Sequence, residues 1–253
     1  MMQIKKLLYA TGVREPQFAR VQRLMELRTL GLEEVIFLHA TKVEDWETRM
    51  AEHGISASTF VMEGKMADSI LDVAHREKVS LIAASLKGDA GGRVRSALIK
   101  DLLRSSPVPV MILPENAQAS GAAQEGIFSH VMFADDWSAA SEKARSYLLH
   151  FKELIKELEI VYVLDTKLSV RDMGNLKEKL SQTRKIFLDQ GIDAEGHVYA
   201  GEPAAEIMLA AQDYGGTCIV MGTTGKSFLK ELLSKSYSYR VAEASVVPTL
   251  VIP

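Results

Sequence analysis

An internal duplication constrains this chain more than any other feature. Gly64-Lys-Met-Ala-Asp-Ser-Ile70 in the first half answers to Gly201-Glu-Pro-Ala-Ala-Glu-Ile207 in the second, and each follows a short strand-like run. Ser106-Pro-Val-Pro-Val-Met-Ile-Leu-Pro114 answers in the same way to Ser245-Val-Val-Pro-Thr-Leu-Val-Ile-Pro253. Matching landmarks in matching order mean one α/β unit used twice, with a period too long for a solenoid.

Within the first unit, apolar runs alternate with segments of helical spacing. Residues 5–11, 35–40, 59–62, 79–85 and 107–114 read as strands. Between them lie Phe18, Val21, Leu24, Met25 and Leu27 at near-helical spacing, a helix over 43–52, one opening at Gly64 with Ile70, Val73 and Ala74, and one over 94–104. The second unit repeats the order: strands at 131–134, 160–164, 197–200, 217–221 and 245–253, and a longer second helix over 170–190. Pro203 stands in a first helical turn, where its missing N–H costs nothing. Regular alternation of this kind predicts two doubly wound units, each a parallel sheet with helices on both faces. Residues 115–126, ENAQASGAAQEG, lack apolar periodicity and read as a linker. The expected domains are therefore 1–114 and 127–253.

Composition excludes several classes. The formal charge of -3 offers no basic footprint for a phosphate backbone, so nucleic acid is not an expected partner. The apolar run after Met1 is too short for a signal segment or a membrane span, and the expectation is a cytoplasmic protein without a membrane partner. The single cysteine, Cys218, lies in an apolar run and reads as buried filler. The histidines at 53, 75, 130, 150 and 197 show no paired spacing, so the sequence suggests no metal site. Adjacent side chains at a strand end diverge, which leaves one functional carboxylate at Asp135-Asp136.

The stretch from Cys218 carries the clearest candidate chemistry. Gly222 and Gly225 follow a strand, where glycine lets backbone amides close on an anion at a helix start; on spacing alone they read equally as a plain turn. Gly225-Lys226-Ser227 resembles the end of a Walker A loop, but Val220 stands where that loop needs glycine.

Asp136-Trp137-Ser138 after the first strand of the second half, with Gly222-Thr-Thr-Gly225, nine residues, then Lys235-Ser236, resembles the universal stress protein family. The resemblance covers both halves. It implies a five-stranded parallel sheet in each unit and terminal strands that pair units, here the two halves of one chain, with a homodimer as a further level of assembly. It implies ATP or a related adenine nucleotide as ligand, with or without Mg. Residue by residue, Asp136 matches the carboxylate that holds adenosine, Val163 the valine beside adenine, and Gly222, Gly225, Ser236 and Ser238 the phosphate cradle. Lys235 replaces the family's third glycine; its side chain either obstructs the cradle or adds a cationic phosphate contact. The first half departs further: Gly12 and Arg14 replace the Asp and Ser, and Ser85 replaces the first glycine, although Gly88 fits the second. Arg14, Lys87, Arg93 and Arg95 remain as a basic group there. The resemblance thus implies a nucleotide-dependent switch in the stress response, with a degenerate first half and at most slow hydrolysis. The alternative is a nucleotide-independent interaction protein whose pocket Lys235 has closed.

Overall fold

The computed structural model describes residues 4–11, 18–39, 45–85, 93–114, 126–164, 170–223 and 236–253. The first half contributes β1 (Lys6–Thr11), α1 (Phe18–Leu24), β2 (Glu34–His39), α2 (Trp46–Glu52), β3 (Ser56–Val61), α3 (Met66–Arg76), β4 (Leu81–Ser85), α4 (Arg93–Ser105) and β5 (Val110–Leu113). The second contributes β6 (His130–Ala134), α5 (Ala139–Leu148), β7 (Glu157–Leu164), α6 (Val170–Leu188), β8 (Asp193–Ala200), α7 (Pro203–Asp213), β9 (Cys218–Gly222), α8 (Tyr237–Ala244) and β10 (Thr249–Ile252).

Each half is a doubly wound unit, and the two share one ten-stranded sheet in the order β3-β2-β1-β4-β5-β10-β9-β6-β7-β8. All neighbours within a half are parallel. At the centre β5 and β10 run antiparallel, with Thr249 opposite Ile112 and Val251 opposite Val110. Strand alternation divides the core by face. Leu7, Tyr9 and Val131 pack with Val21 and Leu24 of α1, Trp46 of α2, Ala144 of α5 and Phe187 of α6. Leu8, Ala10 and Met132 pack with Ile70 of α3, Ile99 of α4, Ile207 of α7 and Val241 of α8.

Three boundaries differ from expectation, each for a physical reason. β3 begins at Ser56 rather than Thr59, and β8 at Asp193 rather than His197. Both are the outermost strands of the sheet, half-exposed along their length, so Ser56-Ala57-Ser58 and Asp193 to Gly196 carry no apolar run to announce them. β5 shrinks to four residues because Pro107 and Pro109 have no N–H for a ladder; Pro109 serves only as acceptor, its carbonyl taking the Ile82 N–H at 3.0 Å. Pro248 takes the Ile219 N–H in the same way at 2.9 Å. The entry turns repeat as well: Ser106 Oγ donates to Val108 O at 2.6 Å, and Ser245 Oγ donates to Val247 O at 2.8 Å.

The halves also meet through side chains. Ser96 Oγ of α4 donates to Glu243 of α8, and Lys100 Nζ lies 5.1 Å above the Tyr239 ring. Glu26, in the 3-10 turn after α1, accepts the Phe128 N–H at 3.3 Å. Among the described residues no helix is long and apolar enough to cross a membrane.

Candidate functional site

In the second half the chain leaves β6 for β7 and β8 on one side, while β9 and β10 lie on the other. The crevice outside the carboxyl ends of β6 and β9 is therefore the topological switch point, the position at which open α/β sheets receive ligands. Asp136 leaves the sheet just there. The Asp135 N–H still donates to Val161 O at 3.1 Å, and β6 pairs Ala134 with Val161 on one side and with Met221 on the other. Continuing that register brings Asp136 alongside Val163 and Asp135 alongside Gly222.

The two aspartates part as the strand ends. Asp135 is buried; its Oδ1 accepts the Trp137 N–H at 2.9 Å and its Oδ2 lies 3.7 Å from Arg145 Nη1. Burial raises its pKa, against the opposing pull of Ser141, the Trp137 amide and Arg145. Asp136 is exposed. Its Oδ1 accepts the Ser138 N–H at 3.0 Å, which shapes the turn into α5, and Ser138 Oγ caps that helix by accepting the Ser141 N–H at 3.2 Å. Its Oδ2 has no hydrogen-bond partner among the described residues.

Gly222 closes β9 with a close backbone approach. A Cβ placed there would collide with the Ala140 carbonyl and lie 2.8 Å from Ser141 N, so only glycine lets the α5 N-terminus rest on the strand end. Ser236 and Ser238 open α8, which runs opposite to the parallel strands it connects and so starts at their carboxyl end. Ser236 Oγ lies 2.8 Å from Ser238 Oγ, and Ser238 is buried. Arg240 Nη1, one turn on, donates to Glu202 Oε1 at 2.6 Å, tying α8 to the capping residue of α7.

Asp136, Val163, Gly222, Ser236 and Ser238 thus share one end of the sheet. A groove of about 560 Å³ is lined by Asp136, Trp137 and Tyr162 with Asp172, Asn175 and Lys179 of α6 among others. Val163 packs instead toward the α7 and α8 face. Gly225 and Lys235 lie outside the described residues, as do Gly12, Arg14, Lys87, Gly88, Lys226 and linker residues 115–125. Sequence reasoning missed the aromatic wall of the groove: Trp137 packs on Tyr162 at 4.6 Å, donates through Nε1 to Thr183 Oγ1 at 3.0 Å, and carries Lys179 Nζ at 5.3 Å. The family-like Asp-Trp-Ser triplet marked the tryptophan's place, whereas its partners come from β7 and α6, distant in sequence.

The corresponding strand ends of the first half carry a side-chain contact instead. Ser85, where the second half has Gly222, accepts from Arg20 Nη1 at 3.2 Å. Tyr9 lies against the same pair, its pKa pushed up to about 12 by burial against the lowering influence of Ser85 and Arg20.

The sequence model of the universal stress protein family matches residues 128–253. Through this half, the chain belongs to the universal stress protein family. Universal stress protein YxiE of Bacillus subtilis (strain 168) is 29% identical over 147 residues, which are 50% of this chain and 99% of that protein. Universal stress protein MJ0577 of Methanocaldococcus jannaschii is 26% identical over 154 residues, 50% of this chain and 95% of its own. The crystal structure of a universal stress protein from Archaeoglobus fulgidus DSM 4304 superimposes on 99% of this chain and 97% of its own, with a TM-score of 0.75 at 21% identity, a likeness of fold. The first half repeats the strand order of the second, consistent with a tandem arrangement of two such units.

Proposed function

We propose that the second half, residues 127–253, binds ATP or a related adenine nucleotide, with or without Mg, and that the protein acts as a nucleotide-dependent regulator in the cytoplasm. The first half, residues 1–114, is a partner that lacks this site. One observation carries the reading: an exposed carboxylate, Asp136, with one oxygen unengaged among the described residues, leaves the sheet at the switch point between β6 and β9. Such an oxygen can accept from ribose hydroxyls or from the exocyclic amine of adenine. The hydroxyls of Ser236 and Ser238 at the start of α8 suit phosphate oxygens, and the helix dipole there favours negative charge. Gly225 and Lys235 belong to the same proposed cradle by sequence. Ser85, bonded to Arg20 where the second half has Gly222, supports the asymmetry.

The test is direct. Freshly purified protein is denatured, any released nucleotide is identified by mass spectrometry, and the stripped protein is titrated calorimetrically with ATP and AMP. Saturable binding weakened in Asp136→Ala is expected; neither carried nor titrated nucleotide would reject the proposal.

A further inference from the structure

Sequence spacing suggests no metal site, yet the fold gathers two of the unpaired histidines around one carboxylate. β6 pairs with β7 so that His130 faces Glu157 and Met132 faces Glu159, and β7 pairs with β8 so that Val161 faces His197. The strand period of two then places His130, Glu157, Glu159 and His197 on one face of three adjacent strands. Glu159 is buried, and its partners among the described residues are imidazoles rather than lysine or arginine. His130 Nε2 lies 3.0 Å from Glu159 Oε1, and His197 Nε2 lies 2.6 Å from Oε2. The outer nitrogens are engaged too. His130 Nδ1 lies 3.6 Å from Glu157 Oε2, and His197 Nδ1 lies 3.0 Å from Tyr214 Oη, with the two ring centroids 4.3 Å apart and the rings tilted by 34°.

We infer that this cluster is a zinc site. One ligand atom each from His130, Glu157 and Glu159 already lie within 4.8 Å of one another and make the donor set, and His197, on the far oxygen of Glu159, holds that carboxylate in place from outside. One imidazole with two carboxylates forms a mixed nitrogen and oxygen donor set, with a position left for water, of the kind that selects zinc over calcium or magnesium, which prefer oxygen alone. A divalent cation would neutralise the buried Glu159 carboxylate. The Tyr214 hydroxyl is the outer partner that orients the His197 ring with Nε2 inward. Glu157 is exposed and provides the route of entry from solvent. The metal would clamp the starts of β6 and β7 to β8. Glu159 precedes Leu164, the carboxyl end of β7, by five residues or roughly 16 Å, so the site is separate from the nucleotide crevice.

Untagged protein, cleared of metal by chelator, is titrated with Zn²⁺ and with Mg²⁺, and thermal unfolding is followed with each. We expect about one Zn²⁺ per chain, a rise in Tm with Zn²⁺, and no response to Mg²⁺. His130→Gln and Glu159→Gln are expected to weaken Zn²⁺ binding by at least about ten-fold and to abolish the rise in Tm. Glu157→Gln, at an exposed position, keeps the test valid if those two variants fail to fold, and it too should lose affinity. Absence of Zn²⁺ binding by the native chain, or affinity unchanged in all the variants that fold, would overturn the proposal. Nucleotide titration of the same preparations keeps the two sites apart, since loss of either activity is read independently.

Discussion

Gly222 at the end of β9 lies against the carbonyl of Ala140 at the start of α5, so closely that a Cβ would collide with it. The glycine that reads in sequence as half of a phosphate loop therefore has a packing duty in the folded chain. Gly222→Ala is expected to force β9 and α5 apart and to destabilise by about 1–3 kcal/mol, measured by urea unfolding. Unfolding free energy equal to that of the native chain would show that α5 yields without cost.

Asp136 should behave in the opposite way. It is exposed, and its hydrogen bond from the Ser138 N–H closes a surface turn. Asp136→Ala should weaken adenine nucleotide binding by about 10- to 100-fold, the worth of a charge-assisted hydrogen bond, while costing no more than about 1 kcal/mol of stability. Calorimetry paired with thermal unfolding separates the two effects.

Glu26 makes contact between the halves dependent on pH. Burial raises its pKa from 4.5 to about 7, against the opposing pull of the Ile127 and Phe128 amides and Arg23. A carboxyl with a raised folded pKa binds its proton more tightly when folded. Its stabilising contribution is therefore complete below about 4.5 and is lost as pH rises through about 7, on the order of 3 kcal/mol in all. Glu26→Gln should gain on the native chain in stability between about pH 5 and about pH 8. A difference between the two proteins that stays constant over that range would refute this.

At the centre of the sheet, Leu250 in β10 is fully buried and stands opposite Met111 of β5. Leu250→Ala should cost about 2–5 kcal/mol. Because the strand joins both halves, unfolding monitored at Trp46 and at Trp137 in single-tryptophan variants should shift together. A shift confined to one probe would mean that the halves unfold separately.

Much of the fold was legible because it depends on local periodicity. The apolar runs of β1, β2, β4, β6 and β9 are buried on both faces and so read continuously, while the polar beginnings of β3 and β8 sit at the sheet edges and gave no signal. For the candidate site, the sequence showed Asp136 and the glycine spacing, but not that Tyr162 and Lys179 would wall the groove beside Trp137. It likewise treated His130 and His197 as unrelated, because sixty-seven positions separate them and only strand pairing through Glu159 brings them together.

By itself, then, the sequence determined the duplicated α/β unit, its alternation of strand and helix, and the half that carries the family's motif, since these follow from nearest-neighbour pattern and turn chemistry. Tertiary structure alone decided which groups share a space. Register between β6, β7 and β8 places imidazoles on a carboxylate, the antiparallel contact of β5 with β10 makes one sheet of two, and the approach of α5 to β9 makes Gly222 a matter of packing as well as binding. Register and packing are relations between distant segments, set by how faces fit, and no local stretch of the chain contains them.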